Sequence, residues 1–379
     1  MPIRCRVCQA HCHKDNLLNY NNMPSSAQGF LNIKDLGFDF GVNLSVVQCK
    51  KCGLVQLDNN PVSYYKEVIR ASAFSQEMGE FRSEQFKKWI KNFNLKTKKI
   101  LEVGCGKGEY LEILANLGVD AFGIEYSEES VECCIEKNLS VTQGFLGDKN
   151  LDTLDIKYDG FMCLSFMEHW PQPNIVLQSL SDNLQEGAIG LIEVPNFDMI
   201  LEDGLYSEFI TDHLLYFTQE TLTFTLQLNG FEVLSCESIW QDYILSAVVR
   251  KRVKTNLDFF QDHKNKVKIE LENFIDKFPE KSVAIWGAGH QALATISLAG
   301  IEKNIKYIVD SADFKQGKFS PASHIEIVSP EVLSDYPASA IIIMAGSYSN
   351  EIFKIMKERY PKIDVAILKE YGLEIVDAS

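Results

Sequence analysis

Four cysteines near the start of the chain, Cys5, Cys8, Cys49 and Cys52, form two C-x-x-C pairs. Thiolates are soft ligands suited to a tetrahedral zinc ion, and two such pairs supply all four. Four protein ligands leave no coordination position open, so the site expected is structural and not catalytic. The pairs stand about forty residues apart, farther than in the usual zinc-ribbon template, which changes the motif but not the ligand chemistry. His11, Cys12 and His13 lie close by as competing ligands, made unnecessary by two complete pairs. Cys105, Cys133, Cys134, Cys163 and Cys236 fall in later segments that read as helix, strand or loop.

A second constellation begins at Glu102-Val103-Gly104-Cys105-Gly106-Lys107-Gly108, after a strand and at the opening of a helix. Glycine is needed where the backbone must turn sharply and let a ligand approach. Glu125 stands 21 residues after Gly104, at the end of the next strand. A carboxylate there can bind both ribose hydroxyls. Loop and acid together predict a nucleoside-bearing cofactor, and taken alone they suit a nicotinamide as well. A similar loop, Gly287-Ala288-Gly289-His290-Gln291-Ala292, follows a strand in the last third of the chain, and Asp310 comes 23 residues after Gly287. That fingerprint makes an NAD-binding enzyme a rival reading. Against it, His290 and Gln291 put polar side chains where a pyrophosphate cradle prefers bare backbone.

These residues need a scaffold, and the patterning of the chain supplies one. Residues 1 to about 70 lack helical periodicity and carry Pro24 and Gly29 between the cysteine pairs. Phe81, Phe86, Trp89 and Phe93 then repeat at helical spacing. Strands are expected from Lys99 to Val103, Ala121 to Glu125, Ser140 to Thr142, Gly160 to Leu164 and Ala188 to Val194, the last stopped by Pro195. Helical stretches lie between them, and such alternation predicts a mostly parallel sheet with helices on both faces. Residues 253–278 predict a helical connector, and a second α/β unit opens at Ser282.

The chain has 379 residues, 46% of them hydrophobic and 23% charged, enough for two or three globular domains. Its formal charge, 37 − 52 = −15, opposes general binding to phosphate backbones, so no nucleic-acid partner is expected. Nothing at the N-terminus resembles a signal peptide and no apolar run reaches membrane-spanning length, so the expected location is cytoplasmic with no membrane partner.

Leu101 to Gly108 resemble motif I of the class I methyltransferases, and Asp159, Ser165, Glu168-His169 and Pro171 resemble that family's fourth-strand segment. The resemblance implies S-adenosylmethionine as cofactor. Gly104 and Gly106 would approach its methionine part, Glu125 would hold its ribose, the stretch from Gln143 to Phe145 would lie near adenine, and Ser165 near the methionine end. Glu102, Cys105 and Tyr126 complete the implied cofactor set.

Over nearly the whole chain, the order of four cysteines, methyltransferase unit and second α/β unit resembles the sugar C-methyltransferases, which act on nucleotide-linked keto-deoxysugars. Asp310 to Lys318 and Pro321 to Pro330 are similar to stretches of that family's C-terminal unit. The fold class implied is α/β: a class I (Rossmann-like) methyltransferase domain, 73–250, flanked by a small zinc-binding domain, 1–72, and a C-terminal Rossmann-like substrate-binding domain, 251–379, which begins with the helical connector. C-methylation beside a ketone needs a base for the α-proton and a partner for the enolate oxygen. The family carries its base in Tyr-x-Glu-His-x-x-Tyr, where this chain reads Ile210-Thr211-Asp212-His213-Leu214-Leu215-Tyr216. The resemblance makes His213 the base, Asp212 its orienter, Tyr216 a retained tyrosine, and His169 a proton shuttle or enolate partner. Without it, His213 reads as a loop histidine packed beside Phe209 and Phe217. Three departures bear on the substrate. Ile210 replaces a tyrosine, Ser165 stands where asparagine is common, and Arg70 to Ser75 replace a tyrosine and paired serines. The expected acceptor is a small molecule, a nucleotide sugar. Methylation of a hydroxyl on a sugar or small metabolite, and a zinc-containing binding protein without catalysis, are the other readings.

Overall fold

Strands rich in β-branched and aromatic residues alternate with amphipathic helices along most of the chain, and they sort into two compact units, Met1–Lys254 and Thr255–Ser379. The computed structural model describes residues 2–27, 30–67, 75–148, 154 and 156–376. The expected boundary at residue 72 and the stretch from Arg70 to Phe74 lie outside the described residues.

The first unit opens with β1 (Leu18–Met23), β2 (Val42–Gln48) and β3 (Val55–Leu57), paired antiparallel in that order. A helix, α1 (Gln76–Asn92), starts at Ser75, whose side chain accepts a hydrogen bond from the Met78 N–H and so satisfies one of the helix's free donors. Its inner face buries Arg82, Phe86, Trp89 and Ile90.

Then come β4 (Lys99–Val103), α2 (Glu109–Asn116), β5 (Asp120–Glu125), α3 (Glu128–Glu136), β6 (Ser140–Gln143) and β7 (Tyr158–Leu164). They are followed by α4 (Pro173–Asp182), β8 (Leu184–Pro195), α5 (Phe197–Glu202), β9 (Leu215–Tyr216), α6 (Gln219–Leu228), β10 (Phe231–Ile239) and β11 (Ile244–Lys251). The central sheet has the order β10-β11-β8-β7-β4-β5-β6. Strands β8, β7, β4, β5 and β6 run parallel, whereas β11 is antiparallel to both of its neighbours.

Because successive side chains on a strand point to opposite faces, these apolar strands feed two cores. Leu101, Val103, Phe161, Ile192 and Val194 join one cluster, while Ile100, Met162, Leu164 and Leu191 pack with Phe86 and Trp89 of α1 in another. Packing is close enough that a Cβ added at Gly190 would lie 2.2 Å from the Phe161 ring.

The sequence reading finds the five parallel strands to within a few residues and misses β10 and β11. The hydrophobic positions of β10 are interrupted by Glu232, Ser235, Glu237 and Ser238, and much of that strand is only half-buried. β9 is too short for any periodicity, yet it pairs with β3 and so becomes the fourth strand of the N-terminal sheet.

The second unit begins with α7 (Asp258–Ile275), the expected connector. Its Val267, Leu271, Phe274 and Ile275 are buried in that unit's own core. It continues through β12 (Val283–Trp286), α8 (His290–Ala299), β13 (Ile305–Val309), β14 (Lys318–Phe319) and β15 (Glu326–Val328). The last elements are α9 (Val332–Asp335), β16 (Ala340–Ile343), α10 (Ser349–Arg359), β17 (Asp364–Lys369) and β18 (Gly372–Val376). The sheet order is β14-β15-β13-β12-β16-β17-β18, parallel except for β14 and β18 at its edges. Among the described residues no helix is long and apolar enough to cross a membrane.

Candidate active site and metal centre

Two tight turns bring the four cysteines together. Cys8 N–H donates to Cys5 Sγ at 3.4 Å, and the N–H groups of Lys51 and Cys52 donate to Cys49 Sγ at 3.4 and 3.5 Å. Gln9 and Gly53 follow with φ of 60° and 78°, which lets the chain curl back around the sulfurs. All four Sγ atoms lie within 4.8 Å of one another, with Cys8–Cys49 at 3.4 Å and Cys5–Cys52 at 3.6 Å. Zinc–sulfur bonds of about 2.3 Å in a tetrahedron place sulfurs about 3.8 Å apart. The cluster therefore has the donors and the spacing to hold such an ion. The Cys52 thiol, donating to Cys5, pulls the Cys5 pKa down to about 5. Cys12 is buried and pushed up to about 11, and His11 and His13 face solvent.

The glycine loop joins β4 to α2. Gly104, Gly106 and Gly108 have φ of 73°, 54° and 84°, the left-handed region that glycine enters without penalty. A Cβ at Gly108 would meet Leu139 Cδ1 at 2.5 Å, so α3 and β6 press on the loop from behind. Glu125, at the end of β5, is only 1% exposed. Its Oε2 accepts from Gly106 N–H at 3.0 Å and its Oε1 from Ser127 N–H at 2.9 Å.

The other implied cofactor residues surround this loop unevenly. Glu102 is buried at the end of β4. Cys105 is also fully buried, its Sγ 3.8 Å from the Gly106 carbonyl. Tyr126 is 41% exposed and Phe145 only 7%. Phe145 packs edge-on against Tyr65 and Phe166, with ring centres 5.9 and 6.1 Å away. Lys66, bonded to Asp148 at 2.7 Å, holds its Nζ 5.2 Å from the Tyr126 ring and 5.4 Å from that of Phe145. Ser165 is exposed, with φ of 50°, at the turn after β7. Since β7 is the parallel neighbour of β4, both turns open at the same carboxyl edge, where open α/β sheets hold their ligands.

The turn after β7 also carries Glu168 and His169, in a single 3₁₀ turn. Leu214 N–H donates to the Glu168 carbonyl at 2.9 Å, which ties this turn to the segment holding His213. The rings of His169 and His213 meet edge-on, centres 4.8 Å apart and planes at 74°. His169 Nδ1 donates to the Asp212 carbonyl at 2.8 Å, so its Nε2 carries the lone pair. Burial, then the neighbouring His169, pushes the His213 pKa from its ordinary 6.5 down to about 3. Burial raises Glu168 to about 8.

Two expected roles look different in three dimensions. The Asp212 carboxylate is not directed at His213. It accepts from Tyr64 Oη at 2.8 Å, Ala27 N–H at 2.8 Å and Thr211 Oγ1 at 3.4 Å, while Tyr64 Oη also meets Ser26 Oγ at 2.5 Å. Asp212 thus anchors its loop to the N-terminal segment and orients His169 through its backbone. The Tyr216 hydroxyl accepts from Ile210 N–H at 3.1 Å and lies 3.5 Å from the carbonyls of Glu208 and Ile210. Its ring packs on Phe209, Phe197 and His213. Tyr64 and Ser26 were not legible as site residues, since nothing local in sequence links them to Asp212.

In the second unit, Gly287 has φ of 118°, and a Cβ there would lie 2.7 Å from the Met344 carbonyl. Asp310 accepts from Ala288 N–H at 2.8 Å, Ala312 N–H at 2.9 Å and Lys315 Nζ at 2.9 Å. Burial would raise its pKa, but the Lys315 hydrogen bond and the two N–H groups outweigh this and lower it. The acid that would clasp a dinucleotide ribose already has a cation of its own.

Residues 78–236 match a family described as a methyltransferase domain, and residues 250–363 match the C-methyltransferase C-terminal domain. The C-methyltransferase NovU of Streptomyces niveus is 20% identical over 93% of this chain and 92% of its own length. A ubiquinone biosynthesis O-methyltransferase of Methylococcus capsulatus is 35% identical over 22% of this chain, a stretch spanning 38% of that enzyme. The crystal structure of an S-adenosylmethionine-dependent methyltransferase from Clostridium acetobutylicum aligns with 50% of this chain and 96% of its own, at 14% identity and a TM-score of 0.40.

Proposed function

We propose, from the premise that this chain is an S-adenosylmethionine-dependent methyltransferase with a C-methyltransferase C-terminal domain, that it methylates a carbon beside the ketone of a nucleotide-linked deoxysugar. The observation that carries this reading is the pair of neutral, edge-on imidazoles, His169 and His213, at the sheet edge shared with the glycine loop. A hydroxyl acceptor has modest need of two such bases, whereas a carbon acid needs one to take its proton and a second group to steady the enolate oxygen.

S-adenosylmethionine supplies an electrophilic methyl group on a sulfonium. The bare backbone at Gly104 and Gly106 admits its amino-acid end, the Glu125 carboxylate at the end of β5 holds its ribose, and Tyr126 borders the adenine. Glu102, the Cys105 backbone and Ser165 complete the wall. His213 takes the α-proton of the sugar. His169, its Nδ1–H locked on the Asp212 carbonyl, takes up that proton on its Nε2 lone pair and in the protonated form donates it to the enolate oxygen. Asp212 and Tyr216 act as positioning residues, holding the loop on which His213 sits. The four cysteines, loaded with zinc, form a structural centre. The second unit contributes to binding the sugar nucleotide.

His213→Ala is expected to lower kcat on a nucleotide-linked 4-keto sugar by 10²- to 10⁴-fold, the usual worth of a general base, with cofactor affinity unchanged. Labelled methyl donor and product analysis measure this. Turnover of sugars lacking a ketone, with only a modest loss in His213→Ala, would replace this reading with methylation of a hydroxyl.

A further inference from the structure

Glu168, His169 and His213 form a second group of ligand-type side chains. One carboxylate oxygen and one ring nitrogen from each histidine lie within 4.8 Å of one another. Glu168 Oε1 is 3.9 Å from His169 Nε2. Glu168 Oε2 has no hydrogen-bond partner, although the side chain is only 2% exposed. Buried carboxylate oxygens normally have donors, so an orphan of this kind asks for an explanation, and an ion is one. The His169 ring carries the arrangement that metal-ligating histidines use, with one nitrogen fixed on a backbone carbonyl and the other left as a donor of electrons. Two imidazoles and a carboxylate suit first-row divalent cations, zinc among them. Bonds of about 2.1 Å set neighbouring ligands about 3–4 Å apart, so closure asks for ring shifts of about 1 Å.

We propose that Glu168, His169 and His213 bind one divalent transition-metal cation, zinc fitting best, and that its presence removes both histidines from proton transfer and so switches methylation off. The binding half stands on the geometry of these three residues. The inhibitory half rests on the proton-transfer role proposed above. A metal there blocks the nitrogen lone pairs that would accept the substrate proton, so metal and base function exclude each other on the same atoms.

The test uses full-length protein with zinc already on its four cysteines. Equilibrium dialysis against cobalt(II) is expected to add one cobalt per chain with visible d–d absorption and without the near-ultraviolet charge-transfer bands of cobalt–thiolate bonds. His213→Ala and Glu168→Gln are each expected to weaken that cobalt at least about tenfold, the second while keeping the shape of the side chain. Methyl transfer by the parent protein is expected to fall in step with cobalt or excess zinc and to return when a weak chelator strips this site alone. No added cobalt, or added cobalt held equally well by both variants, overturns the site. Cobalt held here with methyl transfer undiminished overturns the switch. Cobalt held here in a protein that methylates no keto sugar supports the site and overturns the acceptor reading.

Discussion

At the scale of single residues, the environment of the two histidines departs most from what a sequence conveys. An exposed imidazole with a pKa of 6.5 is half protonated at the slightly acid end of the cellular range. Burial pushes His213 down to about 3, so the free protein holds it in the base form throughout the range above that value. A low pKa also makes a weaker base. In the proposed reaction an enolate forming beside it would counteract this, because a nearby negative charge favours the imidazolium. Glu168 moves the other way, to about 8, and stays neutral below that pH. The sign is therefore definite: kcat/KM, which reports groups of the free enzyme, is expected to be flat from pH 5 to 7 and to bend near 8, where Glu168 ionises. A pH–rate profile checks this, and an acid limb centred near 6.5 would place His213 in water instead.

At the scale of elements, the active edge depends on how α1 is clamped to the sheet. Arg82 on α1 bonds Glu193 on β8, with both side chains almost fully buried. Gln85 Nε2 reaches Glu193 at 2.5 Å and Ser246 Oγ on β11 reaches it at 2.9 Å. Removing one partner of a buried pair leaves the other charged and unsolvated, at a cost of about 3–5 kcal/mol. Arg82→Met is expected to destabilise the first unit by that amount, measured by urea unfolding, and Arg82→Met with Glu193→Gln to recover part of it. The helical spacing of Phe86 and Trp89 was legible. That an arginine on the same face would be buried was not, because its partner lies in another element and no local pattern encodes the pairing.

For the whole first unit, the four-cysteine cluster and the candidate active edge share one core. Cys5, Cys49, Leu54 and Val55 belong to the same cluster as Trp170, Phe197 and Leu101. β3 leaves the second cysteine turn and pairs with β9, which begins two residues after His213. Arg6 Nη1 reaches the Pro171 carbonyl at 3.3 Å and Asn174 Nδ2 the Val7 carbonyl at 2.6 Å. Stripping zinc with a strong chelator is therefore expected to cost methyl transfer as well as stability. Structural zinc contributes many kcal/mol to small domains, and a few kcal/mol lost from a unit of this size lowers its transition by about 10 °C or more. Scanning calorimetry should show that drop in the first unit's transition, with the second unit's unmoved. A chelated protein that keeps full activity and its original transition would separate the cluster from the active edge.

Much of this was legible because it is local. Cysteine spacing, the glycine loop with its downstream acid, and five apolar strands between helical stretches each need only a few neighbouring residues to declare themselves, and all lie within short windows of chain. The order of those strands, β8-β7-β4-β5-β6, was not among these local signals; right-handed connections only narrow the choices. Contacts between distant residues were decided by the tertiary structure alone. The Tyr64 hydroxyl and the Ala27 N–H meet Asp212 across well over a hundred residues, a two-residue strand completes the N-terminal sheet, and Lys315 claims Asp310 in the second unit. Burial is likewise a property of the folded molecule. The same His213 that a sequence presents as an ordinary imidazole is held neutral because the fold half-buries it and sets His169 against it, and that environment has no signature in residues 210 to 216.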